Sequence, residues 1–160
     1  MKYKAPLIAV SDIERSKAFH KKHLGLDVET DFGENVTLSG GLALQTLETW
    51  REFIGGADVR FKGNAGELFF EEDDFDGFVR MLDGLELVHP PMEHSWGQRA
   101  VRFYDPDGHI IEVGENITAV ARRFLDAGMT EKEIATRMDV KEEYVREWLN
   151  TSLSAVSKAE

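Results

Sequence analysis

At 160 residues, 42% hydrophobic and 31% charged, the chain has the length of one domain and no apolar run near about 20 residues, which excludes disorder and a membrane span. It has no cysteine, so disulfides, thiolate ligands and a thiol nucleophile are excluded, and any catalysis must rest on carboxylates, His, amides, Arg or Lys. The net charge of −11 repels phosphate backbones, so nucleic acid is not the expected partner.

The N-terminus MKYKAPLIAV merges into a strand-like segment instead of a cleavable signal, and a cytoplasmic location is expected. Lys4 to Val10 reads as a strand, followed by a helix capped at Asp12, running to about Leu24 and ended by Gly25. Strands are predicted at about 27–31, 35–39 and 42–48. After a Gly-rich linker from Glu48 to Asn64 the order returns: strand Glu67 to Glu71, helix from Asp73 or Asp74 to Leu82, Gly84, then further strands.

Offsets test the repeat. Asp12 lies opposite Asp74 at 62, Gly25 opposite Gly84 at 59, and Gly41 opposite Gly108 at 67. Two βαβββ modules, about 1–54 and 64–115, are therefore expected to build one α+β domain over 1–115. Alternation along the strands sets the apolar pairs Ile8 and Val10, Leu42 and Leu44, Leu68 and Phe70, and Ile111 and Val113 beneath helices. The opposite, concave face carries Ala5, Gln45, Glu67 and Glu112, where carboxylates must be wet, paired or metal-bound.

From Asn116 the pattern turns helical, with helices predicted at about 117–127, 130–138 and 141–149. Thr130 and Glu133 form a capping box, and Val120, Phe124, Leu125, Ile134, Met138, Val145 and Leu149 supply apolar faces. This extension, 116–150, has helix-turn-helix spacing. Six basic side chains against seven acidic ones suit a packing or dimer-stabilising appendage better than a DNA reader. Residues 151–160 read as a flexible tail.

The segments PLIAVSDIERSKAFHKKHLGLDV, GELFFEEDDFDGFVRML and FYDPDGHIIEVGE resemble the vicinal oxygen chelate superfamily, which includes glyoxalase I, bleomycin-binding proteins and extradiol dioxygenases. The resemblance implies metal ligands at Gln45, Glu67 and Glu112, with Ala5 departing from the pattern because it cannot ligate. Three oxygen donors suit a hard or borderline divalent ion, and no organic cofactor is expected. Glu112 or Glu67 would be the catalytic base of a glyoxalase-like lyase or isomerase acting on a small oxygen-rich substrate. The alternative is a metal-free binding protein of the bleomycin-resistance kind, in which Arg102 or Arg99 neutralises the glutamates.

Further candidates lie on loops. His94, Trp96, Arg102 and Trp50 are assigned to substrate binding, His94 and Trp96 on the segment at the cavity mouth, with Trp96 as a core anchor and His94 as a surface residue as the competing reading. Trp50, with Phe53 and Ile54, forms either a lid or the seam between modules. His20 and His23, beside Lys21 and Lys22, are read as solvent-exposed and given no role. Exposed strand edges imply a homodimer, and the linker is long enough for modules paired within a chain or across it.

Overall fold

Asp12 and Asp74 open the two helices that the repeat predicts, and each does so in the same way. In the computed structural model, which describes residues 1–156, the Asp12 carboxylate accepts from the Arg15 N–H and the Asp74 carboxylate from the Gly77 N–H, both at 2.9 Å. These caps satisfy orphan donors of the first turn. Gly25 and Gly84 then turn the chain back with φ of 68° and 81°, a region that costs other residues a Cβ clash.

The chain divides into two compact units, residues 1–66 with 104–110, and residues 67–103 with 111–160. The first contains β1 (Leu7–Val10), α1 (Ile13–Leu24), β2 (Val28–Asp31), β3 (Asn35–Leu38), a 3-10 turn (Ser39–Gly41), β4 (Ala43–Thr46) and α2 (Leu47–Phe53). Its sheet has the order β1-β4-β3-β2. β1 and β4 run parallel, with Ala9 opposite Gln45, and the other pairs are antiparallel. Val10, Val36, Leu38, Leu42 and Leu44 are buried, while all of β2 is exposed, as an edge strand is.

The second unit holds β5 (Glu67–Glu72), α3 (Phe75–Arg80), β6 (Leu87–Glu93), β7 (Arg99–Tyr104) and β8 (Ile110–Glu115), in sheet order β5-β8-β7-β6. Ile111, Val113, Val101 and Phe103 are buried, with the Phe78 and Phe103 rings 6.1 Å apart. β6 carries Pro90 and Pro91, which lack N–H donors, and its register against β7 shifts between His89 and Met92. The two sheets are the paired βαβββ modules read from the repeat.

Three helices follow: α4 (Ile117–Asp126), α5 (Glu131–Met138) and α6 (Glu142–Val156). They share a core of Val120, Phe124, Ile134, Met138, Val145 and Leu149. Each large side chain buried there contributes about 1.5–3 kcal/mol, against about 1 kcal/mol for a cap such as the Thr130–Glu133 box. Packing, not capping, holds the extension together.

Four expectations need correction. The linker after Glu48 begins inside α2, which occupies Leu47–Phe53. The last helix does not stop at 149 but runs to Val156, so the tail placed at 151–160 is helical in its first part, and 157–160 lie outside the described residues. Leu68 and Phe70 are half-buried instead of buried, as is Ile8. His20 is fully buried, its Nδ1 at 2.8 Å from the Ser16 carbonyl oxygen.

Candidate functional site

Glu67, Arg102 and Glu112 converge on one face of the second sheet, each from a different strand. Alternation puts Arg102 and Glu112 opposite Val101, Phe103, Ile111 and Val113, which fill the core, so the charged pair must find its partners on its own face. Arg102 Nε donates to Glu67 Oε2 at 2.7 Å, Nη2 reaches Glu67 Oε1 at 3.4 Å, and Nη2 also donates to Glu112 Oε2. Arg102 Nη1 lies 3.3 Å from His89 Nε2.

The two carboxylates are driven apart electrostatically. The hydrogen bond from Arg102 holds Glu67 below the ordinary glutamate range. Burial pushes Glu112 up, and the adjoining Glu67 carboxylate adds to the effect. Arg102 itself is raised, chiefly by its bond to Glu67. One ionised and one more readily protonated carboxylate therefore share a guanidinium.

Around this centre the face is partly apolar. Phe69 is 55% exposed, and its ring lies so close to Gly114 that a Cβ there would stand 3.2 Å from Cε2. Gln98, buried, donates from Nε2 to the Glu115 carbonyl at 2.9 Å and accepts from the Trp96 indole at 3.2 Å. His94 stacks on Trp96 with centroids 4.2 Å apart and planes 9° from parallel, and burial lowers its pKa.

Gln45 and Trp50 belong to the first unit. Gln45 is buried on β4, where its Oε1 accepts from Asn35 Nδ2 at 2.9 Å and its Nε2 donates to Thr49 Oγ1. Trp50 sits half-buried in α2, and Phe53 is exposed. Ala5, half-buried, precedes β1 and offers no donor.

The donor set does not fit a divalent ion in this arrangement. Glu67 and Glu112 already bind a cation, the Arg102 guanidinium, which would repel a second one. The Gln45 amide is engaged on both ends. Among the described residues no three His, Asp or Glu side chains are grouped as metal ligands.

Two polar clusters were not singled out in the sequence. Glu115, 3% exposed, is held by Arg99 at 2.9 and 3.0 Å and by Arg123 at 3.0 Å. In the first unit, Asp105 accepts from the His109 and Asp107 backbone N–H groups and contacts His109 Nδ1 at 2.8 Å, while Asp107 receives Ser11 and Arg15. The signal for the second was the DPDG turn, whose acidic residues organise the loop before β8.

The sequence matches the glyoxalase-like domain family over residues 3–118. The chain belongs to that family, and with it to the vicinal oxygen chelate superfamily. A solved protein of unknown function from Agrobacterium tumefaciens str. C58 is 38% identical, with a TM-score of 0.66 over 73% of this chain and 95% of that one. A glyoxalase-related enzyme from Fulvimarina pelagi is 23% identical, with a TM-score of 0.60 over 70% and 87%. A lactoylglutathione lyase from Agrobacterium tumefaciens is 21% identical, with a TM-score of 0.54 over 72% and 93%. These last two share the fold with this glyoxalase-like chain. No protein of curated function matches it. The glyoxalase-like match ends at residue 118, so α5 and α6 lie outside it.

Proposed function

We propose that this glyoxalase-like protein binds a small organic molecule without a metal ion, in the manner of bleomycin-resistance proteins. The observation that carries the reading is the Arg102 bridge between Glu67 and Glu112. An internal cation stands where the metal-dependent reading needs two free carboxylate ligands. Phe69, Trp96 and His94 supply flat surfaces for a ligand's apolar part, and the Glu67–Arg102–Glu112 group supplies polar contacts of both signs. The proposed setting is cytoplasmic and homodimeric. Among the described residues no helix is long and apolar enough to cross a membrane.

The lyase reading keeps one supporting observation, the split between a raised Glu112 and a lowered Glu67, which suits proton transfer. Metal analysis of the purified protein, with calorimetric titration of Mg2+, Mn2+, Ni2+ and Zn2+, separates the two. The binding reading expects no stoichiometric ion and thermal stabilisation by members of a panel of small antibiotics. A stoichiometric ion together with turnover of a hemithioacetal would overturn it.

A further inference from the structure

We infer that the cleft between the 94–97 turn and the α5–α6 corner is a second ligand site, suited to a flat organic cation. It lies wholly in the second unit and encloses about 380 Å3, within the range of small-molecule pockets. Trp96 forms one wall, and Trp148, Met138 and Val140 form others. The two indoles come from elements far apart in sequence, a hairpin turn and the last helix. α5 and α6 lie beyond the family match, so this cleft forms where the extension packs on the 94–97 turn of the glyoxalase-like part.

Charge selects the occupant. Arg137 and Asp139 are the two charged lining residues, and they are not equivalent. The Arg137 guanidinium is paired with Glu93 at 3.2 Å and lies over the Phe124 ring at 5.9 Å, so its charge is already answered. No ion pair or hydrogen bond of the Asp139 carboxylate is found among the described residues. Asp139 is fixed in place, however, because its backbone caps α5 in the left-handed region with φ 56° and ψ 46°. An unanswered carboxylate at the lip of a cleft walled by two tryptophans is complementary to a delocalised cation, since indole faces attract positive charge. The net charge of −11 raises the local concentration of such molecules further.

The cleft shares Trp96 with the Glu67–Arg102–Glu112 face, so Asp139→Asn, which alters the cleft alone, is the variant that distinguishes the two. Proflavine, a planar aromatic cation, is titrated into the full chain and followed by its fluorescence anisotropy, with anilinonaphthalene sulfonate as the anionic comparator. Saturable one-to-one binding of proflavine is expected, weakening as salt rises. Asp139→Asn should weaken it about three- to fivefold, as for an exposed ion pair, and Asn tolerates the left-handed backbone, so the corner is kept. Trp96→Leu, checked for folding by circular dichroism, should weaken it about tenfold by removing a cation–π wall. Equal or tighter binding of the sulfonate, no saturable proflavine binding, or unchanged affinity in Asp139→Asn would each overturn the inference. The last would place the dye elsewhere, on the Glu67–Glu112 face included.

Discussion

Arg102 grips Glu67 from 35 residues away, with Nε 2.7 Å from one carboxylate oxygen and Nη2 3.4 Å from the other. The same guanidinium donates to Glu112, so its removal leaves two carboxylates facing each other with no counter-charge. Arg102→Leu should therefore destabilise the protein by about 1.5–3 kcal/mol at pH 7.5, the range for hydrogen bonds to charged groups, as read from urea unfolding. At pH 5 the loss should shrink, because Glu112, already raised by burial, takes up a proton and relieves the repulsion. Equal losses at both pH values would contradict this picture.

The same variant should change the response to metal ions. With the guanidinium gone, Glu67 and Glu112 become available, and Arg102→Leu is expected to bind Mn2+ or Zn2+ more tightly than the parent chain does. Calorimetric titration of both proteins reads the difference. Identical isotherms would show that Arg102 does not stand in a cation's place.

Acid sensitivity should begin well above the carboxylate range. His20 is fully buried, and burial lowers its pKa from 6.5, against a smaller opposing contribution from the Ser16 carbonyl. As pH falls below 6.5 the unfolded chain takes up this proton before the folded one, so stability declines by up to about 1.4 kcal/mol per pH unit. The decline ends once the folded histidine also titrates. A second loss should follow below about pH 4 as Asp105 and Glu115 are protonated. Burial opposes ionisation of both, yet His109 beside Asp105 and Arg99 and Arg123 beside Glu115 hold their pKa values down. Urea midpoints at pH 7.5 and 5.5 should differ in the parent chain and differ less in His20→Gln, with His23 and His94, also lowered by burial, supplying the remainder.

Gly97→Ala should be among the costlier small substitutions. Gly97 has φ of 93°, and a Cβ there would overlap the Phe124 ring. Strain and overpacking together predict a loss of about 2–4 kcal/mol. Gly128→Ala, with φ of 89° but open space around it, is the control and should cost less.

Self-association is expected through exposed edges. Val28 and Phe32 at the edge of the first sheet, and Leu87, Val88 and Met92 on β6, leave apolar side chains exposed. Sedimentation of the full chain should show a dimer. A chain ending at Asn116 should associate more weakly, and an unchanged dimer would remove the helical extension from the interface.

Much of the architecture was legible because it rests on local chemistry. Asp12 with Asp74 and Gly25 with Gly84 announce helix starts and stops that need no tertiary context. α2 escaped notice because Thr46 makes no side-chain cap and LETWREF is too short to show a helical period. His20 was misplaced by its neighbours, since Lys21 and Lys22 suggested a wet face while the helix turned the imidazole inward. Glu67 and Glu112 were identified as a pair that must be neutralised. Arg102 and Arg99 were both named as their partner, and the choice stayed open because the two lie close together in sequence and only the strand's alternation, realised in the fold, sends one to Glu115 and the other to Glu67 and Glu112.

Glu115 ties α4 to the sheet, since its buried carboxylate is held by Arg99 of β7 on one side and Arg123 of α4 on the other. Excising the helices would strand that anion with half of its cationic clamp, while Phe124 would withdraw from the space that only a glycine at position 97 leaves open. The extension is thus a graft whose vascular connection runs through two acidic residues, Glu115 and, on β6, Glu93, which pairs with Arg123 and Arg137. It should melt with the second sheet in one transition, and transplanting it onto a shorter relative would require moving Gly97, Arg99 and Glu115 along with the helices.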